Sequence, residues 1–153
     1  MAEAEQNTHT NLRSIAHAVL RILPWLWLGI AIGISGIETP IRFRTPPITR
    51  DGAAMLGVAI FHALAYIELV MLVVVMGAAI FIRDRWIVGL VAVLGFVVAI
   101  EHTLVVPVLT VRAHLLVQGA HLEPSSVHAW ATALEATKMI VLGAIGIRHF
   151  RLG

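Results

Sequence analysis

Four carboxylates stand within or at the ends of long apolar stretches: Glu38, Glu68, Glu101 and Glu135. A carboxylate at the centre of a membrane helix costs about 3 kcal/mol on insertion scales, so such groups turn toward protein partners and away from lipid. Lys138 follows Glu135 by three residues, within side-chain reach on one helix face. If those two form an isolated buried pair, neutralising either one alone should cost about 3–5 kcal/mol. His128, Thr132, Glu135 and Met139 recur at helical spacing and form one polar stripe. Arg112 follows Glu101 by eleven residues, on the same face but about 16 Å along the axis. It is expected to pair with Glu38 or a loop group. Glu38, Glu68, Glu101, Arg112, His128, Glu135 and Lys138 are thus the candidates for an intramembrane polar site. Their chemistry is that of a proton or small-ligand site, or of an ion-pair network that fixes helix order.

Two further residues, His62 and His102, are candidate cofactor ligands. A haem b can be held by histidines from two helices. His62 precedes the Arg83–Arg85 segment by about 21 residues and His102 follows it by about 17, which gives them similar depth. A di-metal carboxylate site calls for Glu-x-x-His on two helices. Here Glu101 and His102 are adjacent and diverge by about 100° on an α-helix. Neither Glu68 nor Glu135 has a histidine three residues on. A haem b or metal ion on His62 and His102 therefore stays an alternative, with the cofactor unassigned. His114, His121 and His128 repeat every seven residues, but Pro124-Ser125 interrupts them, as in a loop. Arg42-Phe43-Arg44 suits a lipid headgroup anchor, and Trp25 and Trp27 suit an interfacial belt. The chain lacks Walker, dinucleotide-binding, nucleophile-elbow and HExxH motifs.

These residues need elements to hold them, and composition names the class. Of 153 residues, 59% are hydrophobic and 13% charged, about half the charge of a soluble domain. The absence of cysteine excludes disulfides and thiolate sites. The net charge is +2 with dispersed basic residues, which leaves no nucleic-acid patch. The expected fold is all-α: a polytopic membrane protein with four transmembrane helices in an antiparallel bundle. The helices should cover about 20–38, 53–82, 86–110 and 126–147; each can supply the roughly 20 residues that a bilayer core needs, and the second is long enough to project beyond it or to tilt. Residues 1–17 form a polar tail, 18–148 the transmembrane domain and 149–153 a C-terminal tail. The tail is expected to be disordered or the start of an interfacial helix. Pro40, Pro46 and Pro47 mark a loop, and Pro124-Ser125 a helix start. The long acidic head argues against a cleaved signal peptide. Gly29-x-x-x-Gly33 permits close helix packing.

Helices 2 and 3 should pack antiparallel across their short turn. That places Glu68 and Glu101 at nearly equal depth, close to the midplane. Two such carboxylates need a proton, a metal, Lys138 or a ligand cation between them. Six arginines fall on the side of the termini (Arg13, Arg21, Arg83, Arg85, Arg148, Arg151) and four on the other (Arg42, Arg44, Arg50, Arg112). Both termini are therefore expected in the cytoplasm of a cell with an inner plasma membrane.

The motifs Glu38-x-Pro40-x-x-Phe43, Phe61-x-x-Leu64-x-x-x-Glu68, Pro107-x-Leu109-x-x-Arg112 and Leu134-Glu135-x-x-Lys138, with His128 before the last, form a pattern over roughly residues 20–148. This pattern resembles a group of small, uncharacterised bacterial four-helix membrane proteins. It is loosely similar to the copper-resistance D-like superfamily, which includes membrane-bound haem-containing protoporphyrinogen oxidases. The resemblance implies a four-helix bundle in which the Glu, Arg and Lys positions matter. Methionines are few and unpaired in sequence, which argues against copper transfer. The function expected is a non-catalytic membrane protein with a buried Glu/Lys/His site. It would bind a small ligand or serve as accessory subunit, as a homo-oligomer or in a larger membrane complex. A haem- or metal-dependent oxidoreductase and a small proton-coupled transporter are the alternatives.

Overall fold

A computed structural model of the chain describes residues 2–46, 48–123 and 125–152. Pro47 and Pro124, two of the expected helix breakers, lie outside the described residues. The fold is all-α. Among the described residues, four helical rods are long and apolar enough to cross a membrane: Gln6–Arg42, Arg50–Ile82, Arg85–Val117 and Val127–Arg151. The first rod comprises α1 (Ala2–Ala31), a π-helical segment (Ile32–Glu38) and α2 (Thr39–Arg42). The second is α3 (Arg50–Ile82). The third comprises α4 (Arg85–Ile100), a second π-helical segment (Glu101–Val105) and α5 (Val106–Val117). The fourth is α6 (Val127–Leu152). Helix α1 packs on α3 and α6, α4 packs on the same two, and α5 adds to the contact with α3.

The rods run past the expected boundaries. Helix α1 begins at Ala2, so the polar tail is helical. Polarity alone does not stop a helix; a missing hydrogen bond or a left-handed residue does. The third rod continues from the expected end near 110 to Val117, where Gly119 adopts φ 81°. Its N–H donates to the Leu116 carbonyl and the Ala120 N–H to that of Leu115, closing the helix end. At the start of α3 the Thr49 hydroxyl accepts from the Gly52 N–H. Arg83 ends α3 in the left-handed region at φ 61°, and the Asp84 carboxylate caps α4 by accepting from the Trp86 and Ile87 N–H groups.

The two π-helical segments share a sequence cause. Each ends two residues before a proline, Pro40 and Pro107. Proline removes one N–H and crowds the carbonyl four residues back, and a wider turn relieves both. Pro40, expected in a loop, therefore stands inside a rod that runs on to Arg42.

The dry core lies in the half of the rods nearest the Arg83–Asp84 turn. Leu20, Val75, Ile87, Leu94, Leu142 and Ile145 are fully or almost fully buried there. Outward faces remain apolar: Phe96 is 68% and Ile140 72% exposed. In the other half the rods diverge around open space. Glu68, Glu101, Glu135 and Lys138 fall between these halves along each rod.

Candidate functional site

Lys138 is fully buried and its ammonium meets three carboxylates. Nζ lies 2.6 Å from Glu68 Oε1, 2.9 Å from Glu101 Oε2 and 2.7 Å from Glu135 Oε2. An ammonium has three N–H donors, and all three are used. Trp27 Nε1 donates to Glu68 Oε1 at 3.0 Å, and the Ser35 hydroxyl donates to Glu135 Oε1 at 3.0 Å. His102 Nε2 lies 3.1 Å from Glu68 Oε2. Every rod thus contributes to one charge cluster. Glu101 and His102 open the second π-helical segment and reach different members of the cluster, Glu101 meeting Lys138 and His102 meeting Glu68.

The charge count is uneven. One ammonium faces three carboxylates, which leaves two without a matching cation. In surroundings of low dielectric the balance is made up by protons or a bound cation. The ammonium holds the central position that a metal would take. Among the described residues, no group of three or more His, Asp or Glu side chains is disposed to hold a metal ion.

A cavity of about 880 Å³ opens on the side away from the Arg83–Asp84 turn. Glu101 and Glu135 form its floor, so the cavity and the charge cluster share two residues. The polar stripe of α6, His128, Thr132, Glu135 and Met139, lines one wall. Apolar side chains such as Phe61, Val105 and Leu109 line others. Arg42, Arg50, Arg112 and His121 stand toward the rim. Arg112 Nη2 donates to the Glu123 carbonyl at 2.6 Å, a loop group.

Glu68, Glu101, Glu135 and Lys138 therefore meet, His128 and Arg112 line the adjoining cavity, and Glu38 stands apart. Glu38 lies 3.2 Å from Arg42 Nη1, one helical turn along the first rod. The two histidines do not form a haem-ligand pair. His62 is exposed, on the side of α3 opposite Leu64 and Glu68, while His102 faces Glu68. Similar depth fixed only their height; the direction around the helix separates them.

Sequence reasoning missed Trp27 and Arg42. Trp27 is fully buried against Glu68 and is no interfacial anchor. Arg42 is 4% exposed and is no headgroup anchor. The signal for Arg42 was Gly57: a Cβ there would stand 2.7 Å from Arg42 Nη2, so glycine makes room for the guanidinium. Trp27 carried no separate signal.

The end near the termini is tied by a second set of polar contacts. Arg148 Nη2 lies 3.0 Å from Asp84 Oδ2. Partial burial opposes ionisation of Asp84, but the Arg148 hydrogen bond and the Trp86 and Ile87 amides outweigh it and hold the carboxyl below its usual range. His17 and His149 stack with ring centroids 5.1 Å apart, and the Arg21 guanidinium lies over the Phe150 ring. These contacts tie α1 to α6 at His17 and Arg21. No protein-family model, curated protein or solved structure matches the chain.

Proposed function

We propose that the chain is a multi-pass inner-membrane protein of bacterial type, an antiparallel four-helix bundle with both termini in the cytoplasm. It binds a small molecule in the cavity above the Lys138 cluster and acts without catalysis, as a homo-oligomer or as an accessory subunit of a larger membrane assembly. Insertion is supported by the apolar outward faces, since soluble proteins do not expose contiguous apolar bands of this extent. The observation that carries the binding role is the sharing of Glu101 and Glu135 between cavity and cluster. A purely structural ion-pair network has no need of an open chamber against its carboxylates. A cavity near 880 Å³ is also in the range of small-molecule sites. The expected resemblance to small bacterial four-helix membrane proteins implies a bundle in which the Glu and Lys positions matter, and three of its motif residues, Glu68, Glu135 and Lys138, meet here.

A second reading, proton-coupled transport, is favoured by one specific observation. The cluster holds more carboxylates than cations, and two of them face the cavity. The cavity reaches it from one side while the core closes the other, as in one state of an alternating-access cycle.

The binding role is tested by filling the chamber. Ala131 lines it, and Ala131→Phe should occupy it without disturbing the core. Native mass spectrometry of protein extracted with its membrane should find a small molecule on the wild type that Ala131→Phe has lost at unchanged thermal stability. Identical spectra from the two proteins would contradict the proposal. Topology is read by reporter fusions after Gly153 and within residues 45–49: the first should be cytoplasmic and the second not. An external C-terminus overturns the orientation.

A further inference from the structure

The cavity has a built anion-binding wall. Arg42 lines it and is 4% exposed; its guanidinium pairs with Glu38 and lies over the Phe43 ring but lacks hydrogen-bond acceptors. Nε and Nη1 are buried without a hydrogen-bond partner among the described residues. Nη1 stands 3.2 Å from Glu38 Oε1, at ion-pair distance but without hydrogen-bond alignment. Nη2 lies over Gly57. Nε is enclosed, so Nη2 is the guanidinium nitrogen left to meet an oxyanion in the cavity. Donors in folded proteins are almost always satisfied, so an arginine on a cavity wall with no hydrogen-bond acceptor among the described residues points to an acceptor that enters the cavity.

The surroundings fit the same partner. Arg50, Arg112, His121 and His128 line the cavity with Arg42, against Glu101, Glu123 and Glu135. The walls between rim and floor are largely apolar, with Val58, Phe61 and Leu109 among them. The floor offers Glu101, whose Oε2 is taken by Lys138 and whose Oε1 has no partner among the described residues. From Glu135 to His128 the wall of α6 rises about 10 Å.

Resting on the ligand-binding role proposed above, we infer that the cavity takes an oxyanion on an apolar stem, a carboxylate or phosphate held by Arg42 with the stem reaching down toward Glu101. The oxyanion comes from a water-borne amphiphile or from a lipid headgroup, and the two sources are separable.

The chain has no cysteine, so a single reporter thiol suffices. Ala54 lines the cavity one turn before Gly57 and Val58. The Ala54→Cys protein in phosphatidylcholine nanodiscs is labelled with an uncharged maleimide, alone and with octanoate, octyl phosphate, 1-octanol or octylammonium. Octanoate and octyl phosphate should slow labelling about tenfold at concentrations where 1-octanol and octylammonium do not, the difference that one charge-assisted hydrogen bond supplies. Arg42→Gln should abolish the selectivity. Gly57→Ala should abolish it too, because its Cβ displaces the guanidinium while the charge remains, and it serves where Arg42→Gln fails to fold. Protection that appears on replacing part of the phosphatidylcholine by phosphatidate, with no added amphiphile, assigns the oxyanion to the bilayer; protection only by added octanoate or octyl phosphate assigns it to water. Rapid labelling slowed equally by octanoate and 1-octanol would overturn the anion site and leave the cavity role standing. No labelling under any condition would overturn both.

Discussion

Replacing Lys138 by methionine removes the cation and keeps the length of the side chain. The wild-type ammonium touches three carboxylates within 2.9 Å and is fully buried. Its loss leaves Glu68, Glu101 and Glu135 facing one another unmatched. Breaking a buried pair on one side costs about 3–5 kcal/mol. For a chain of 153 residues that corresponds to a fall in melting temperature of about 6–20 °C. Glu135→Gln behaves differently. Lys138 keeps two carboxylates, the amide oxygen still accepts, and one excess negative charge is gone, so the cost should stay near about 1 kcal/mol. An isolated Glu135–Lys138 pair would make the two single changes equal; a cation shared by three carboxylates makes them unequal. Adding Glu68→Gln to Lys138→Met should recover part of the loss, since the sites are in contact and do not act additively. Thermal unfolding in nanodiscs, followed by circular dichroism, measures all four proteins. Lys138→Met no more costly than Glu135→Gln would refute the shared-cation geometry.

Trp27→Phe removes the N–H that reaches Glu68 together with part of the buried indole, and should cost at least about 1.5–3 kcal/mol in the same unfolding assay, the range of bonds to charged groups. Gly146→Ala places a Cβ 2.6 Å from Trp25 Cε2 and should cost about 1–3 kcal/mol by overpacking, relieved when Trp25 is shortened to leucine. Asp84 ties the α3–α4 turn to Arg148 with its carboxyl held below the ordinary value of 3.8. A lowered folded-state value means that its contribution is present above pH 3.8 and is lost as pH falls through the folded value. Asp84→Asn keeps the helix cap and should flatten that part of the acid profile, while Asp84→Ala should lose about 1 kcal/mol more through the cap.

The apolar runs made the four rods legible, because a run of some twenty apolar residues has few other uses. The meeting of Glu68 and Glu101 was legible from the short turn between their helices, which sets equal height, and Lys138 was among the groups expected between them. Direction around the axis was harder. His62 and His102 satisfied the height condition and still point apart. Glu101 and His102 diverge as neighbours on a helix do, and still join one cluster because they meet different partners in it, Lys138 and Glu68. The cavity was not legible at all. Open space arises from how rods diverge, and no residue type marks it. Arg42 was read as an anchor because its neighbours are prolines and arginines; its burial depends on Gly57, fifteen residues on and in another rod.

The central claim is that open space reaches the charge cluster from the side away from the termini. Met139 lines that space one turn beyond Glu135, and the chain's lack of cysteine makes Met139→Cys a clean reporter. In oriented proteoliposomes, a membrane-impermeant thiol reagent should label it when applied on the side of residues 43–49 and 118–126, and should not when applied on the side of the termini. Labelling only from the side of the termini, or from neither side, would contradict the claim.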